Sequence, residues 1–291
     1  MSLSVIVPSY NEEKSIKDTI EQLKTFMLAI DNYEIIVIDD NSTDMTRKII
    51  ESFKDINLIK HDRNKGYGAS IKSGIREAKY DIIAITDADG TYPNEKIPQF
   101  YNILVKENLD MIVGSRTGSN VNIPVIRKPA KWFIGKLAEY IVNQKIPDIN
   151  SGLRLFKKSS FINFLPIIPN GFSLTTTITL GMISSGYKLQ FYDIDYFKRS
   201  GKSKIRPIRD TFNFFNLILR IGLYFAPLKI FIPISIFLIT VSVLWGIYTI
   251  LIFGKLADVS SLIIAMTGLN IAIMAFVAEL INHRMPNSYK K

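Results

Sequence analysis

The 291-residue chain carries 36 basic and 26 acidic side chains, is 47% hydrophobic, and has two histidines and no cysteine. Disulfides and thiolate sites are thereby excluded, and two histidines do not point to a multi-histidine site, so the metal to expect is a hard cation held by oxygen. The length fits one domain of about 200 residues plus a smaller part.

Taken in chain order, "LSVIVPS" at residues 3–9 reads as a short buried strand, followed by a helical pattern from Glu13 to Ala29. Tyr33 to Asp39 predicts a second strand that ends in "DDNSTD", with Ser42 or Thr43 suited to cap the next helix. A third strand falls near Ile56–Lys60, and a helix begins after "NKGYG" at residues 64–68. "YDIIAIT" (80–86) and "LDMIVGS" (109–115) are the fourth and fifth strands. Strands alternating with helices predict an α/β fold, a mostly parallel sheet with helices on both faces. Ligands bind such sheets at the carboxyl ends of the strands. Asp39, Asp40, Asp87, Asp89 and Arg116 all fall at such ends.

Two later segments, "IRKPAKWFIGKLAEYIVN" (126–143) and "RDTFNFFNLILRIGLYFAP" (209–227), are basic and aromatic-rich with one greasy side. They predict amphipathic helices at a bilayer's headgroup layer. Between them "KRSGKSKIRPIR" (198–209) holds no acid. Near anionic lipid each basic residue contributes about 1 kcal/mol. Gly201 and Ser203 inside it predict a flexible loop that can close over phosphates.

Ile230 to Phe253 has no charged residue over 24 positions, and Val259 to Ala278 has none over 20. A helix that crosses the hydrocarbon layer needs about 20 residues, so these two predict a transmembrane hairpin. Lys202, Lys204, Arg206, Arg209, Arg220 and Lys229 precede it and Arg284, Lys290 and Lys291 follow, whereas its turn carries only Lys255 and Asp258. The positive-inside rule then places both ends in the cytoplasm, and the N-terminal apolar stretch is too short for a signal peptide. Because the basic clusters flank the membrane segments, nucleic acid is not the expected partner of the positive charge.

In "TDADGTYP" (86–93) two carboxylates stand two residues apart after a strand. If extended geometry persists past Thr86, Asp87 and Asp89 point the same way. Neighbouring carboxylates repel unless a cation neutralises them. Magnesium or manganese prefers one or two carboxylates plus substrate phosphates, so the expected ligand is a metal-bound diphosphate.

Together "VIVPSYNEE", "IIVIDDNSTD", "NKGYGASIKSG", "TDADGTYP", "VGSR" and "INSGLRLF" resemble family 2 glycosyltransferases of the GT-A fold. With "KRSGKSKI" and the hairpin, the chain is most similar to their polyprenyl-phosphate branch, which includes dolichol-phosphate mannose synthases. The resemblance implies a cytoplasmic GT-A catalytic domain over residues 1–208, with an interfacial helix at 124–143. An amphipathic interface helix at 209–228, a transmembrane hairpin at 229–281 and a cytoplasmic tail at 282–291 complete the layout. It implies transfer of a hexose from a nucleotide sugar, of GDP-mannose or UDP-glucose type, to the phosphate of a membrane polyprenol such as dolichyl or undecaprenyl phosphate. Pro8, Tyr10, Glu12, Asp39, Asp40, Lys65 and Ala88 would line the nucleotide. Asp87 and Asp89 would hold Mg2+ or Mn2+. Arg116, Arg127, Arg199, Ser203 and Lys204 would meet the acceptor or its phosphate, with Arg116 and Arg127 counted among the catalytic residues. Where relatives often carry a glutamine, this chain has Thr91.

A phosphate monoester has its second ionisation near pH 6, so the acceptor arrives nucleophilic and needs no catalytic base. Consistently, no carboxylate occurs from Phe172 to Gln190. Asp148 is either an acceptor-orienting residue or a turn cap. Two alternatives stand beside this reading. A processive polysaccharide synthase would carry Q-x-x-R-W, which precedes neither Trp132 nor Trp245. A catalytically silent nucleotide-sugar-binding regulator is favoured only by Thr91. Association with further copies of the chain is left open.

Overall fold

Leu3, Val5, Ile6 and Val7 are all fully buried, which makes β1 (Ser2–Ser9) apolar on both faces. A central strand covered by helices on each side has this composition, and each such side chain contributes about 1.5–3 kcal/mol by leaving water. The computed structural model describes residues 2–117, 128–171, 173–197, 207–255 and 258–284. The described residues divide into two compact units, one up to residue 215 and one from residue 216 onward.

The first unit is built on a seven-stranded sheet of order β3-β2-β1-β4-β6-β5-β7. Its members are β1, β2 (Asn32–Asp39), β3 (Asn57–Lys60), β4 (Ile82–Ile85), β5 (Met111–Ser115), β6 (Arg154–Lys157) and β7 (Leu189–Asp193). All neighbours run parallel except β6, which is antiparallel to both β4 and β5. The sheet is therefore mixed, and β6 and β7 are strands that the hydrophobic pattern did not announce. The crossovers are α1 (Ile16–Met27), α2 (Thr46–Glu51), α3 (Tyr67–Glu77) and α4 (Ile97–Lys106). Helix α3 lies close on the sheet because residue 74 is glycine. A Cβ there would stand 2.7 Å from Ile6 Cγ2 and 3.0 Å from Ile38 Cδ1.

Further along run α5 (Lys128–Val142), α6 (Lys158–Ile162), α7 (Leu174–Ser184) and α8 (Pro207–Phe225). Ala138 and Ile141 of α5 are buried and the helix packs against α7. Its second half is thus covered by protein on one side. Neither Ser42 nor Thr43 caps α2. Their hydroxyls engage Asn11 instead, and Asp44 Oδ1 accepts from Thr46 N at 3.0 Å.

The second unit holds α9 (Pro227–Phe253) and α10 (Asp258–Arg284), both long and apolar enough to cross a membrane. Helix α9 ends at Gly254 in the left-handed conformation, φ 62°, the usual glycine stop. The two helices pack along a seam of small residues. Ser235 Oγ donates to Gly268 O at 2.7 Å and Ser242 Oγ to Ser261 O at 2.6 Å, so the hydroxyls in the seam find acceptors within the hairpin.

Candidate active site

The chain builds β1, β2 and β3 outward in one direction and then places β4 on the other side of β1. In sheets with such a reversal ligands bind beyond the carboxyl ends of the strands on either side of it, here β1 and β4. Pro8 and Ser9 close β1, Tyr10 follows, and Thr86 to Asp89 follow β4.

Extended geometry does not persist past Thr86. Strand β4 stops at Ile85, residues 88 and 89 form a turn, and Gly90 takes φ 71°. The two carboxylates are therefore placed by separate devices and not by strand alternation. Asp87 accepts from Tyr67 Oη at 3.0 Å. Continuing the β4–β6 register, in which Ile85 faces Arg154, sets Gly152 opposite Asp87. A Cβ at 152 would lie 2.9 Å from both carboxylate oxygens. Asp89 is buried and accepts from Thr91 Oγ1 at 2.6 Å and Thr91 N at 3.2 Å. Thr91 thus has a definite task at this position.

Among the described residues no group of three His, Cys, Asp or Glu side chains could hold a metal alone. Asp87 and Asp89 offer oxygen only. That donor set fits a hard divalent ion that completes its shell with water and substrate phosphates.

The segment facing the acidic loop is secured from beneath. Gly152 N donates to Tyr92 Oη at 2.6 Å, and Tyr92 packs edge-on against Tyr196 at 5.4 Å. Burial pushes the phenols of Tyr67 and Tyr92 well above their usual range, so both stay protonated. Arg154, fully buried, donates to Ser151 O, to Thr175 O at 3.3 Å and to Thr179 Oγ1 at 3.2 Å. Its Nε and the Ser151 hydroxyl have no hydrogen-bond partner among the described residues. Burial lowers the Arg154 pKa, opposed by the charge of Asp148.

The residues expected around the nucleotide divide into two groups. Tyr10 and Glu12 sit half-exposed on a loop that Asn11, at φ 54°, locks to the β2 loop. Thr43 N donates to Asn11 Oδ1 at 2.8 Å and Glu12 N to Thr46 Oγ1 at 2.8 Å. Asp39 is fully buried. Its carboxylate takes Arg47 Nε at 2.6 Å and Ser42 N at 3.1 Å. Arg47, 35% exposed, is the half of that pair that faces solvent. Asp40 is also enclosed, accepting from Lys65 N and Gly66 N at 2.8 Å each and bonding His61 Nδ1 at 2.7 Å. It shapes the turn into α3, where Gly66 takes φ 95°. Lys65 extends its amine to Asp62 at 2.7 Å, and Ala88 O accepts from Thr19 Oγ1 at 3.3 Å.

Arg116, just past β5, is gripped by Asp148 through Nε at 2.7 Å and Nη2 at 3.0 Å, and its guanidinium lies 5.2 Å from the Tyr196 ring centroid. The Nη1–Nη2 edge is the part of the fork that Asp148 leaves uncovered. Burial works against the charge, but the hydrogen bonds and charge of the Asp148 carboxylate favour it, and the Arg116 pKa is raised. Asp148 also accepts from Arg116 N and Asn150 N. Arg127, Arg199, Ser203 and Lys204 lie outside the described residues. Tyr67, Arg47, Gly152 and Arg154 were not singled out from the sequence.

Residues 4–165 match the family Glycosyl transferase family 2, and residues 226–283 match the GtrB C-terminal hairpin. The chain is 30% identical over 180 residues to a UDP-N-acetylglucosamine–dolichyl-phosphate N-acetylglucosaminyltransferase of Methanococcus voltae, covering 54% of this chain and 69% of that one. It is 29% identical over 189 residues to a dolichol-phosphate mannosyltransferase of Pyrococcus furiosus, covering 62% and 53%. The matched region thus spans two thirds of the first relative and about half of the second. Among solved structures, glucosyl-3-phosphoglycerate synthase of Mycobacterium tuberculosis aligns with TM-score 0.56 at 17% identity, over 76% of this chain and 78% of that one, and that crystal holds Mn2+, UDP and phosphoglyceric acid. Mannosyl-3-phosphoglycerate synthase of Rubrobacter xylanophilus aligns with TM-score 0.58 at 16% identity, over 76% and 72%. These likenesses support the mixed-sheet fold, and the family match over more than half its length identifies the chain as a member of glycosyl transferase family 2.

Proposed function

We propose that the chain transfers a hexose from a nucleotide-diphosphate sugar to the phosphate of a membrane polyprenol, with inversion. The observation that supports this most is the union, in one chain, of a family 2 domain with a GtrB-type apolar hairpin. A membrane-bound glycosyltransferase has use for an acceptor that shares its bilayer.

In the step itself, the bond between the anomeric carbon and the diphosphate oxygen breaks while a bond to an acceptor phosphate oxygen forms. The acceptor phosphate, already ionised near neutral pH, needs positioning and charge neutralisation more than a base. Asp87, steadied by Tyr67 and admitted by the missing side chain at 152, and Asp89, steadied by Thr91, would hold Mg2+ or Mn2+. When bound, that ion supplies Lewis-acid stabilisation of the departing diphosphate. Arg116, braced by Asp148 and Tyr196, would present its Nη1–Nη2 edge to the acceptor phosphate, a geometry suited to guanidinium. Arg47, backed by Asp39, and the interlocked loop carrying Tyr10 and Glu12 would face the nucleotide. By the basic flanks, both ends of the hairpin lie on the cytoplasmic side. The regulator alternative rested on Thr91, whose hydroxyl here serves Asp89.

The test is direct. Purified full-length protein is incubated with radiolabelled GDP-mannose or UDP-sugars, polyprenyl phosphate and Mn2+. Label is expected in the organic phase only when acceptor and metal are both present. Absence of transfer from every donor, with the nucleotide still bound, would favour the silent regulator.

A further inference from the structure

We infer that the outward face of α10 pairs with the same face of a second copy of this chain, and that Asn270 is the residue that fixes the pairing. The inference rests on the reading of α9 and α10 as membrane-spanning.

The face of α10 turned to α9 carries Gly268 and Ala275, both buried. Gly268 touches α9 so closely that a Cβ would lie 2.9 Å from Ile239 Cγ1. At 3.6 residues per turn, Asn270 lies roughly 200° around the helix from Gly268, on the far side. There Ile263, Met266, Ile273, Val277 and Leu280 are 47–61% exposed, and Asn270 is exposed with them. These six residues recur at alternating steps of three and four, the a/d pattern of paired helices. Ile263, Asn270 and Val277 occupy one of the two repeating positions, Met266, Ile273 and Leu280 the other.

Hydrocarbon alone would accept the five apolar members, so the asparagine decides the occupant. It sits near the middle of α10, where no water can satisfy an amide and unpaired polar groups are costly. Other polar side chains of the hairpin are served locally. Thr267 Oγ1 donates to Ile263 O at 2.8 Å, Trp245 Nε1 to Ser260 Oγ at 3.1 Å, and the seam serines to α10 carbonyls. The hairpin gives the Asn270 amide no such partner among the described residues. An amide is both donor and acceptor. In a twofold contact the same residue meets itself, so two Asn270 side chains satisfy each other. A single asparagine at such a position is known to set register and favour two strands.

The chain has no cysteine, which makes single-cysteine crosslinking clean. Full-length protein is placed in bilayer nanodiscs and liposomes, and retention after alkaline carbonate washing is checked first. Ile263→Cys, Met266→Cys, Ile273→Cys and Val277→Cys should form disulfide-linked dimers on oxidation, whereas Ala265→Cys and Ala272→Cys should not. Step counting of labelled protein in liposomes should show dimers, with Asn270→Val weakening association roughly 3- to 20-fold and Asn270→Gln retaining most of it. Release by carbonate would overturn the membrane reading beneath the inference. Retention with monomers throughout, crosslinking without facial preference, or unchanged association in Asn270→Val would overturn the pairing itself and leave the face to lipid or to an unlike protein.

Discussion

Gly152 stands opposite Asp87 in the continued register of β4 and β6, and a methyl group at 152 would lie 2.9 Å from both oxygens of that carboxylate. A backbone position just ahead of one strand therefore sets the posture of an acidic side chain just beyond another. Displacing a reacting group by about 1 Å can lower a rate about 100-fold. Gly152→Ala is expected to lower sugar transfer by that order while leaving the thermal midpoint within a few degrees of the parent. Tyr67→Phe, which removes only the hydroxyl that steadies Asp87, should lower the rate about tenfold, in line with one hydrogen bond to a charged group.

Thr91 makes a separate prediction about metal. Its hydroxyl and amide both engage Asp89 Oδ1, and outer partners of ligating carboxylates typically control about 10- to 100-fold in metal affinity. Titrating Mn2+ into protein with nucleoside diphosphate, read by electron paramagnetic resonance, should show weakened binding in Thr91→Val. Thr91→Ser should bind nearly as the parent, and Asp89→Ala should lose the bound signal.

The Arg116–Asp148 pair makes the protein's acid stability predictable in sign. Burial pushes the Asp148 carboxyl up, but hydrogen bonds and charge from Arg116 outweigh it and hold the group below the ordinary 3.8. A carboxylate depressed on folding stabilises fully above its unfolded pKa, and that contribution is lost as pH falls through the lower folded value. Asp148→Asn should therefore be less stable than the parent at pH 7, by about 3 kcal/mol. The gap should close as melting curves are taken below pH 4. A gap that widened with acid would contradict the pairing.

Much of this was legible in the sequence where periodicity is strong. The run from Leu3 to Val7, the strand ending at Asp39 and the two uncharged stretches around Ile230–Phe253 and Val259–Ala278 all lie where hydrophobic pattern placed them. What escaped was short or long-range. Strand β6 has four residues and arrives after a long excursion, too little for alternation to announce. Asp87 and Asp89 were expected to share a strand face, but the turn at 88–90 intervenes. Local spacing could not reveal that Thr91, Tyr67 and Gly152 reach them from three directions. Asp39 and Asp40 were correctly placed at a strand end, yet their burial against Arg47 and the Lys65–Gly66 amides depends on neighbours that one strand does not disclose.

That enclosure of Asp40 can itself be tested. It accepts from two backbone amides and bonds His61, so Asp40→Ala leaves buried donors unserved. A loss of about 2–3 kcal/mol is expected. Weaker nucleotide binding should accompany it as the Lys65–Gly66 turn loosens. Calorimetric unfolding and titration with UDP and GDP would measure both.

The antiparallel return of β6 has a consequence for the nascent chain. Strands β1 to β4 can associate as they leave the ribosome, since each pairs with a partner already made. Strand β4 then keeps an open flank until Arg154–Lys157 is translated, and an unprotected strand flank invites aggregation. Synthesis halted between residues 92 and 150 should yield a sticky fragment, and extension through Lys157 seals the flank.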